Sequence, residues 1–245
     1  MKPEKVERLA GTTARLMEKW GQGILRLPPR PSRPEQYPHI ATRFPTLDHA
    51  LGIGGIPSAA LTECISSGTS GLTTLALKVI AQAQADYAQA SAVWVDTTAS
   101  FDADYAVRCG VVLDRLLVVR TDCNIADILH TLVTSSGVSV LVCDMRHGLQ
   151  GAPLPRLEPL AMSRITTALA STECALLLLT EPSLSPGYTQ AALRLQLTRE
   201  RWLIRTGDVV GYRVQVHILK NRFAPAERRV SITIGFSILM QGDRL

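Results

Sequence analysis

The residues whose types and spacing best suit chemistry lie in the segment SSGTSGLTT, Ser66–Thr74. Ser66, Ser67, Gly68, Thr69, Ser70, Gly71, Leu72, Thr73 and Thr74 stand between an apolar run and a helical pattern. A loop that cradles phosphates needs glycines, so that backbone N–H groups can turn inward. It needs a helix N-terminus for the dipole, a lysine for the outer phosphates, and a Ser or Thr for magnesium. Gly68 and Gly71 permit the backbone angles, and Thr73 occupies the magnesium-ligand position. Ser66 replaces the first glycine, and Leu72 stands where the lysine belongs. A hydrogen bond to a charged group is worth roughly 1.5–3 kcal/mol, and leucine forfeits it. Taken alone, the motif supports a strand, a tight turn and a helix more strongly than ATP binding.

Asp144 ends the apolar run VSVLVCD. A carboxylate at the C-terminal end of a buried strand beside such a loop can orient magnesium, and it can equally cap the next element. The expected metal residues are therefore Thr73 and Asp144. His39, His49, His130, His147 and His217 are scattered and read as ordinary surface or core histidines. Cys64, Cys109, Cys123, Cys143 and Cys174 form neither a CxxC pair nor a zinc-spaced cluster, and read as free thiols of a reducing compartment. Trp20, Trp94 and Trp202 read as packing residues before base-stacking ones.

Elements that position these residues follow from hydrophobic period. Residues 4–19 carry Val6, Leu9, Thr13, Leu16 and Met17 at helical spacing, and five prolines from Pro28 to Pro38 make a linker. Strands are expected at Leu61–Ile65, Ala92–Val95, Leu116–Val119, Val138–Cys143 and Ala175–Leu179. Helices are expected at 73–89, 103–109, 125–135 and 159–171. Fully apolar strands alternating with amphipathic helices specify a parallel sheet covered on both faces. The last third alternates instead: Leu193, Leu195 and Leu197, then Tyr212, Val214, Val216 and Ile218, then Val230, Ile232 and Ile234. That period gives half-exposed antiparallel strands appended to the parallel sheet.

The chain has 245 residues, 46% hydrophobic and 19% charged, enough apolar material for a large core. No apolar run is long enough to span a membrane, so a cytoplasmic protein with no membrane partner is expected. The net charge of +5 is unevenly spread. Residues 1–43 hold nine Lys/Arg and four Asp/Glu; residues 44–190 hold seven and thirteen; residues 191–245 hold ten and four. Two basic ends flank an acidic middle, which suits nucleic-acid contact or head-to-tail self-association, or is simply solvated charge.

The ordered motifs carry a resemblance to the bacterial RecA recombinase family. RLMEKWGQGILRL (15–27), FPTLDHALGIGGIPSAALTE (44–63), the loop and its helix, VDTTASFDADYAVRCGV (95–111) and LKNR (219–222) follow that family in order and spacing. The resemblance implies an α/β fold: a RecA-type P-loop NTPase core whose parallel sheet is flanked by helices, with antiparallel strands at its C-terminal end. It divides the chain into an N-terminal helix and Pro-rich linker, 1–43, and a core, 44–245, without the family's C-terminal domain.

By the same resemblance, Asp102 and Tyr105 match the pair that packs on adenine, Thr73 the magnesium threonine and Asp144 the second acidic site. Lys220 and Arg222 match basic residues that reach across a filament interface. Leu72 replaces the phosphate lysine, Thr98 the catalytic glutamate, and Glu181 a glutamine that senses the terminal phosphate. The segment 146–156 takes the place of the first DNA loop, bringing Arg146 and Arg156, and the second loop is shortened to about 181–188. Arg194, Arg199, Arg201, Arg205 and the Arg228–Arg229 pair are expected either to contact single-stranded DNA or to solvate a sheet face.

A second resemblance is to ImuA-type RecA-like proteins, which accompany translesion polymerases and also carry a degraded phosphate loop. Together these imply a protein of DNA repair or damage tolerance, with ATP and magnesium binding weak or lost. It would assemble with itself, with RecA or with a translesion-polymerase partner through its N-terminal helix. An active DNA-stimulated ATPase and a purely structural module are the competing expectations.

Overall fold

The computed structural model describes residues 11–15, 17–19, 21, 37–87, 89–97, 99–146, 157–182 and 188–236. Residues 4–10 of the expected first helix, most of the Pro-rich linker, Trp20, Thr98, Arg156 and 183–187 of the second loop lie outside them. The chain forms two compact units, Met1–Arg33 and Pro34–Leu245. Residues 11–15 and 17–19 of the first unit are helical.

The second unit begins with a small antiparallel pair, β1 (His39–Ile40) and β2 (Ile56–Pro57), around helix α1 (Pro45–Leu51). No expected element covered α1. Pro45 sets its first turn, Leu47 and Leu51 bury its inner face, and Gly52 ends it in a left-handed conformation, φ 80°. There follow β3 (Ala60–Ser66), α2 (Leu72–Asp86), β4 (Ala92–Asp96), α3 (Ala103–Arg108), β5 (Leu116–Arg120), α4 (Ile125–Thr134), β6 (Val140–Asp144), α5 (Pro159–Leu169) and β7 (Ala175–Thr180). Three long strands close the order: β8 (Leu193–Arg205), β9 (Asp208–Asn221) and β10 (Arg228–Gly235). Each expected strand and helix of the middle region is present within a few residues of its expected ends.

The main sheet has eight strands in the order β10-β9-β8-β3-β7-β6-β4-β5. Pairings from β8 to β5 are parallel, and β8–β9 and β9–β10 are antiparallel. This is the expected α/β architecture, with its antiparallel strands at the C-terminal end.

Side-chain alternation explains why the central strands are apolar throughout. Val140 and Val142 of β6 pack into one core with α1 and α2, while Leu141 and Cys143 pack into a second with α4 and α5. In β7, Leu177 and Leu179 join the first core, and Leu176 and Leu178 the second. Helix α2 is buried over most of its circumference, from Leu72 to Gln84, inside the first core. The parallel strands β3, β4, β6 and β7 end in Ser66, Asp96, Asp144 and Thr180, all buried, and the candidate site lies beyond those ends.

Candidate functional site

A cleft of about 250 Å³ opens at the carboxyl ends of the parallel strands, where open α/β sheets place ligands. The loop between β3 and α2 forms one wall, the segment Ser100–Tyr105 another, and Asp144 and Arg146 the floor.

Gly71 is the N-cap of α2, with φ 82°. The positive φ favours glycine, and a Cβ there would also crowd the tip of the Ile234 side chain and stand 3.3 Å from the Tyr212 hydroxyl. Leu72 is the first residue of α2, is 1% exposed, and belongs to the core while lining the cleft. The helix N-terminus therefore faces the cleft without the lysine expected beside it. The hydroxyls of Ser66 and Ser70 are buried without a hydrogen-bond partner among the described residues.

The two residues expected to hold a metal are brought together by a third. Arg146 Nε donates to Asp144 Oδ1 at 2.8 Å and its Nη2 to Oδ2 at 2.5 Å. The same Nη2 donates to Thr73 Oγ1 at 2.9 Å. The Arg146 backbone N–H also reaches Asp144 Oδ1, at 3.2 Å. Burial opposes the charge on Arg146. The Asp144 hydrogen bonds and the negative fields of Asp144, Glu181 and Asp96 outweigh it and raise the guanidinium above its ordinary value. Arg146 was expected in a DNA loop; the structure places its side chain in the cleft. Asp96, not singled out from the sequence, lies beside Asp144 in the sheet register and accepts from Ser100 N at 3.2 Å and Phe101 N at 3.0 Å.

Asp102 and Tyr105 both line the cleft. Asp102 caps α3 by accepting from Tyr105 N at 2.8 Å. The Tyr105 hydroxyl shares a 2.5 Å hydrogen bond with Thr74 Oγ1, and burial pushes its pKa up to about 12.

The other expected basic residues scatter. Arg194 donates from Nε to Glu63 Oε2 at 2.6 Å, and Glu63 is fully buried in β3. Arg199 Nη1 donates to Thr69 O at 3.2 Å, and its guanidinium lies 4.3 Å over the Trp202 ring. Arg201 is exposed on β8, paired in register with Arg213 of β9, and Arg205 is exposed at the hairpin end. Lys220 Nζ donates to Thr189 O at 2.6 Å and Arg222 Nη2 to Gln190 O at 3.4 Å; neither lines the cleft. Arg156 and Thr98 lie outside the described residues.

Comparison with known proteins decides the family. A model of the RecA N-terminal domain matches residues 9–158. Proteins named Protein RecA from Chloroflexus aurantiacus and Roseiflexus castenholzii are each 30% identical to the chain. The alignments cover 95% and 96% of it and 74% of each relative. The chain belongs to the RecA family. A Pseudomonas fluorescens Protein RecA is likewise 30% identical, over 99% of the chain and 78% of its own length.

Within a RecA-family cleft, ATP with magnesium is the implied ligand. The donor set does not fit magnesium. Thr73 Oγ1 and both Asp144 oxygens, the atoms a cation would use, are engaged by Arg146. Leu72 supplies no charge. Among the described residues, no cluster of three His, Cys, Asp or Glu could hold a metal, and no helix is long and apolar enough to cross a membrane. What the cleft offers a ligand is hydroxyl groups, the Tyr105 ring edge and a helix N-terminus, with its one lining arginine already neutralised by Asp144.

Proposed function

We propose that this RecA-family protein serves DNA repair or damage tolerance as a binding and assembly protein that does not hydrolyse ATP efficiently. The observation that carries the reading is Leu72: the residue at the N-terminus of α2, where a phosphate-gripping lysine belongs, is packed into the core. Arg146 on Asp144 and Thr73 supports it from the opposite wall. Thr98 at the position of the catalytic glutamate adds a chemical reason, since a threonine hydroxyl is no general base near neutral pH.

Single-stranded DNA is the proposed ligand of the β8–β9 hairpin. Arg199, Arg201 and Arg205 on β8 are exposed there; Arg199 stacks on Trp202, itself 44% exposed, while Arg201, in register with Arg213, lies on the other face of the hairpin. Basic side chains for phosphates beside an aromatic face for bases are what sequence-tolerant single-strand binding uses. Arg228 and Arg229 are exposed at the start of β10, in register with Ile218 and His217 and so toward the other end of β9 from the hairpin turn. The proposed partner is a second copy, RecA itself or a translesion-polymerase complex, reached through the N-terminal helix, with Lys220 and Arg222 facing the neighbour.

Turnover of ATP with and without single-stranded DNA tests the reading. The expected result is no DNA-stimulated hydrolysis but salt-dependent DNA retention. Turnover that Asp144→Ala abolishes would overturn it and establish a divergent recombinase. Deleting residues 1–30 should abolish self-association or partner binding; unchanged association removes the docking helix from the reading. Asp102 and Tyr105 in the cleft wall favour a nucleotide held without hydrolysis, which a thermal shift with ATP analogues would reveal.

A further inference from the structure

We infer that Arg146 is the resident cation of this cleft, standing in for a divalent metal and keeping one out. The inference deepens the non-hydrolysing reading of the same cleft and rests on it.

Three atoms make the argument. A divalent cation bound here would need oxygen ligands, and the ones the resemblance assigns to it are Asp144 Oδ1, Asp144 Oδ2 and Thr73 Oγ1. All three accept from one guanidinium: from Nε at 2.8 Å, and from Nη2 at 2.5 Å and 2.9 Å. The planar fork matches the carboxylate edge with two parallel bonds, a geometry that a lysine could not reproduce. Asp144 is 1% exposed, so its charge has little water to fall back on, while the Arg146 side chain is 21% exposed and reaches in from the rim.

Charge makes the exclusion firm. Asp96 and Glu181 also act on Arg146, so the cluster around it is acidic and holds a cation in any case. A metal entering beside the guanidinium would meet a like charge at close range. A metal replacing it would have to expel an arginine, which cannot leave by losing a proton in the working pH range. A histidine or lysine in the same place could be titrated away; arginine keeps its charge across the working pH range.

The substitution predicts a latent metal site. Without Arg146, the buried Asp144 carboxylate and the Thr73 hydroxyl face the cleft unneutralised, in the negative field of Asp96 and Glu181. Arg146→Ala should therefore create a response to divalent cations that the parent protein lacks.

The test is thermal melting of the full chain with added Mn²⁺ or Mg²⁺ against chelator, together with Mn²⁺ binding followed by electron paramagnetic resonance. The parent protein should show no metal-dependent shift and no stoichiometric Mn²⁺ site. Arg146→Ala should melt lower in chelator and recover on metal addition, with one Mn²⁺ bound. The double variant Arg146→Ala, Asp144→Asn should lose that recovery. Should Arg146→Ala fail to fold in chelator, Arg146→Gln, whose amide can still reach Thr73, carries the same comparison. A Mn²⁺ site in the parent protein that Asp144→Asn removes would overturn the inference. So would variants of Arg146 that fold and ignore metal. Turnover is measured separately, so a metal-free cleft that hydrolyses ATP would sink the functional reading and leave this one standing.

Discussion

Asp144 and Arg146, two residues apart at the end of β6, form a two-bonded ion pair whose guanidinium also holds Thr73 of α2. The pair ties a strand end to the helix that follows the loop after β3. Asp144→Asn breaks it and leaves the arginine with a neutral amide. Because Arg146 can swing toward water, the cost should be about 2–3 kcal/mol, below that of stranding a fully buried charge. A lower denaturant midpoint with an unchanged slope checks it.

Arg194 and Arg201 both stand on β8, and their variants should differ in kind. Arg194 pairs with Glu63, which is fully buried and also accepts from Thr180 Oγ1 at 3.4 Å, so Arg194→Ala removes an ion-pair partner from a buried carboxylate and should cost roughly 3–5 kcal/mol. Arg201 is exposed, and Arg201→Ala should leave stability within about 0.5 kcal/mol. If the hairpin binds single-stranded DNA, the Arg201 variant should weaken binding at all sequences and lower the salt slope by about one ion. Melting curves and DNA retention at several salt concentrations separate the two variants; equal loss of stability in both would defeat the distinction.

The order and type of the central elements were legible because β4, β6 and β7 are buried on both faces and so read as unbroken apolar runs; the edge strand β5 is apolar too, though partly exposed. The later strands were legible through Leu193, Leu195 and Leu197, which alternate with half-exposed partners. Helix α1 was not: seven residues give too little period to read, and Pro45 looks like loop chemistry until Gly52 is seen to close the helix. In the cleft, the loop from Ser66 to Thr74 and Asp144 could be located by motif. Arg146 could not, because its partner Thr73 is 73 positions away and only the sheet brings β6 beside α2. Arg194 was hidden the same way: its buried carboxylate, Glu63, lies 131 positions earlier on the adjacent strand.

Restoring the lysine should not restore hydrolysis. Leu72 is 1% exposed, and Leu72→Lys removes an apolar side chain from the core at a cost of about 2 kcal/mol. The new ammonium could reach the cleft along its stem. It would still find Asp144 and Thr73 engaged by Arg146. The expected outcome is a less stable protein with no measurable turnover. Turnover from Leu72→Lys alone would mean that Arg146 yields the cleft readily.

Thiol chemistry should report the second core directly. Of the five cysteines only Cys123 is exposed; Cys64, Cys109, Cys143 and Cys174 are buried. Burial raises the Cys64 and Cys174 thiols to about 12, and raises Cys143 further. A thiol whose pKa is higher in the folded state stabilises the fold fully below its unfolded value, near 9.0, and loses that contribution as pH rises toward 12. Near neutral pH a thiol-reactive dye should therefore label one cysteine quickly and the other four only on unfolding. Raising the pH above 9 should lower the melting temperature. Cys143→Ala and Cys174→Ala together should reduce that alkaline sensitivity, at the cost of a small cavity beneath α5. Rapid labelling of all five thiols in the folded protein would contradict the packing of β6 and β7 against α4 and α5.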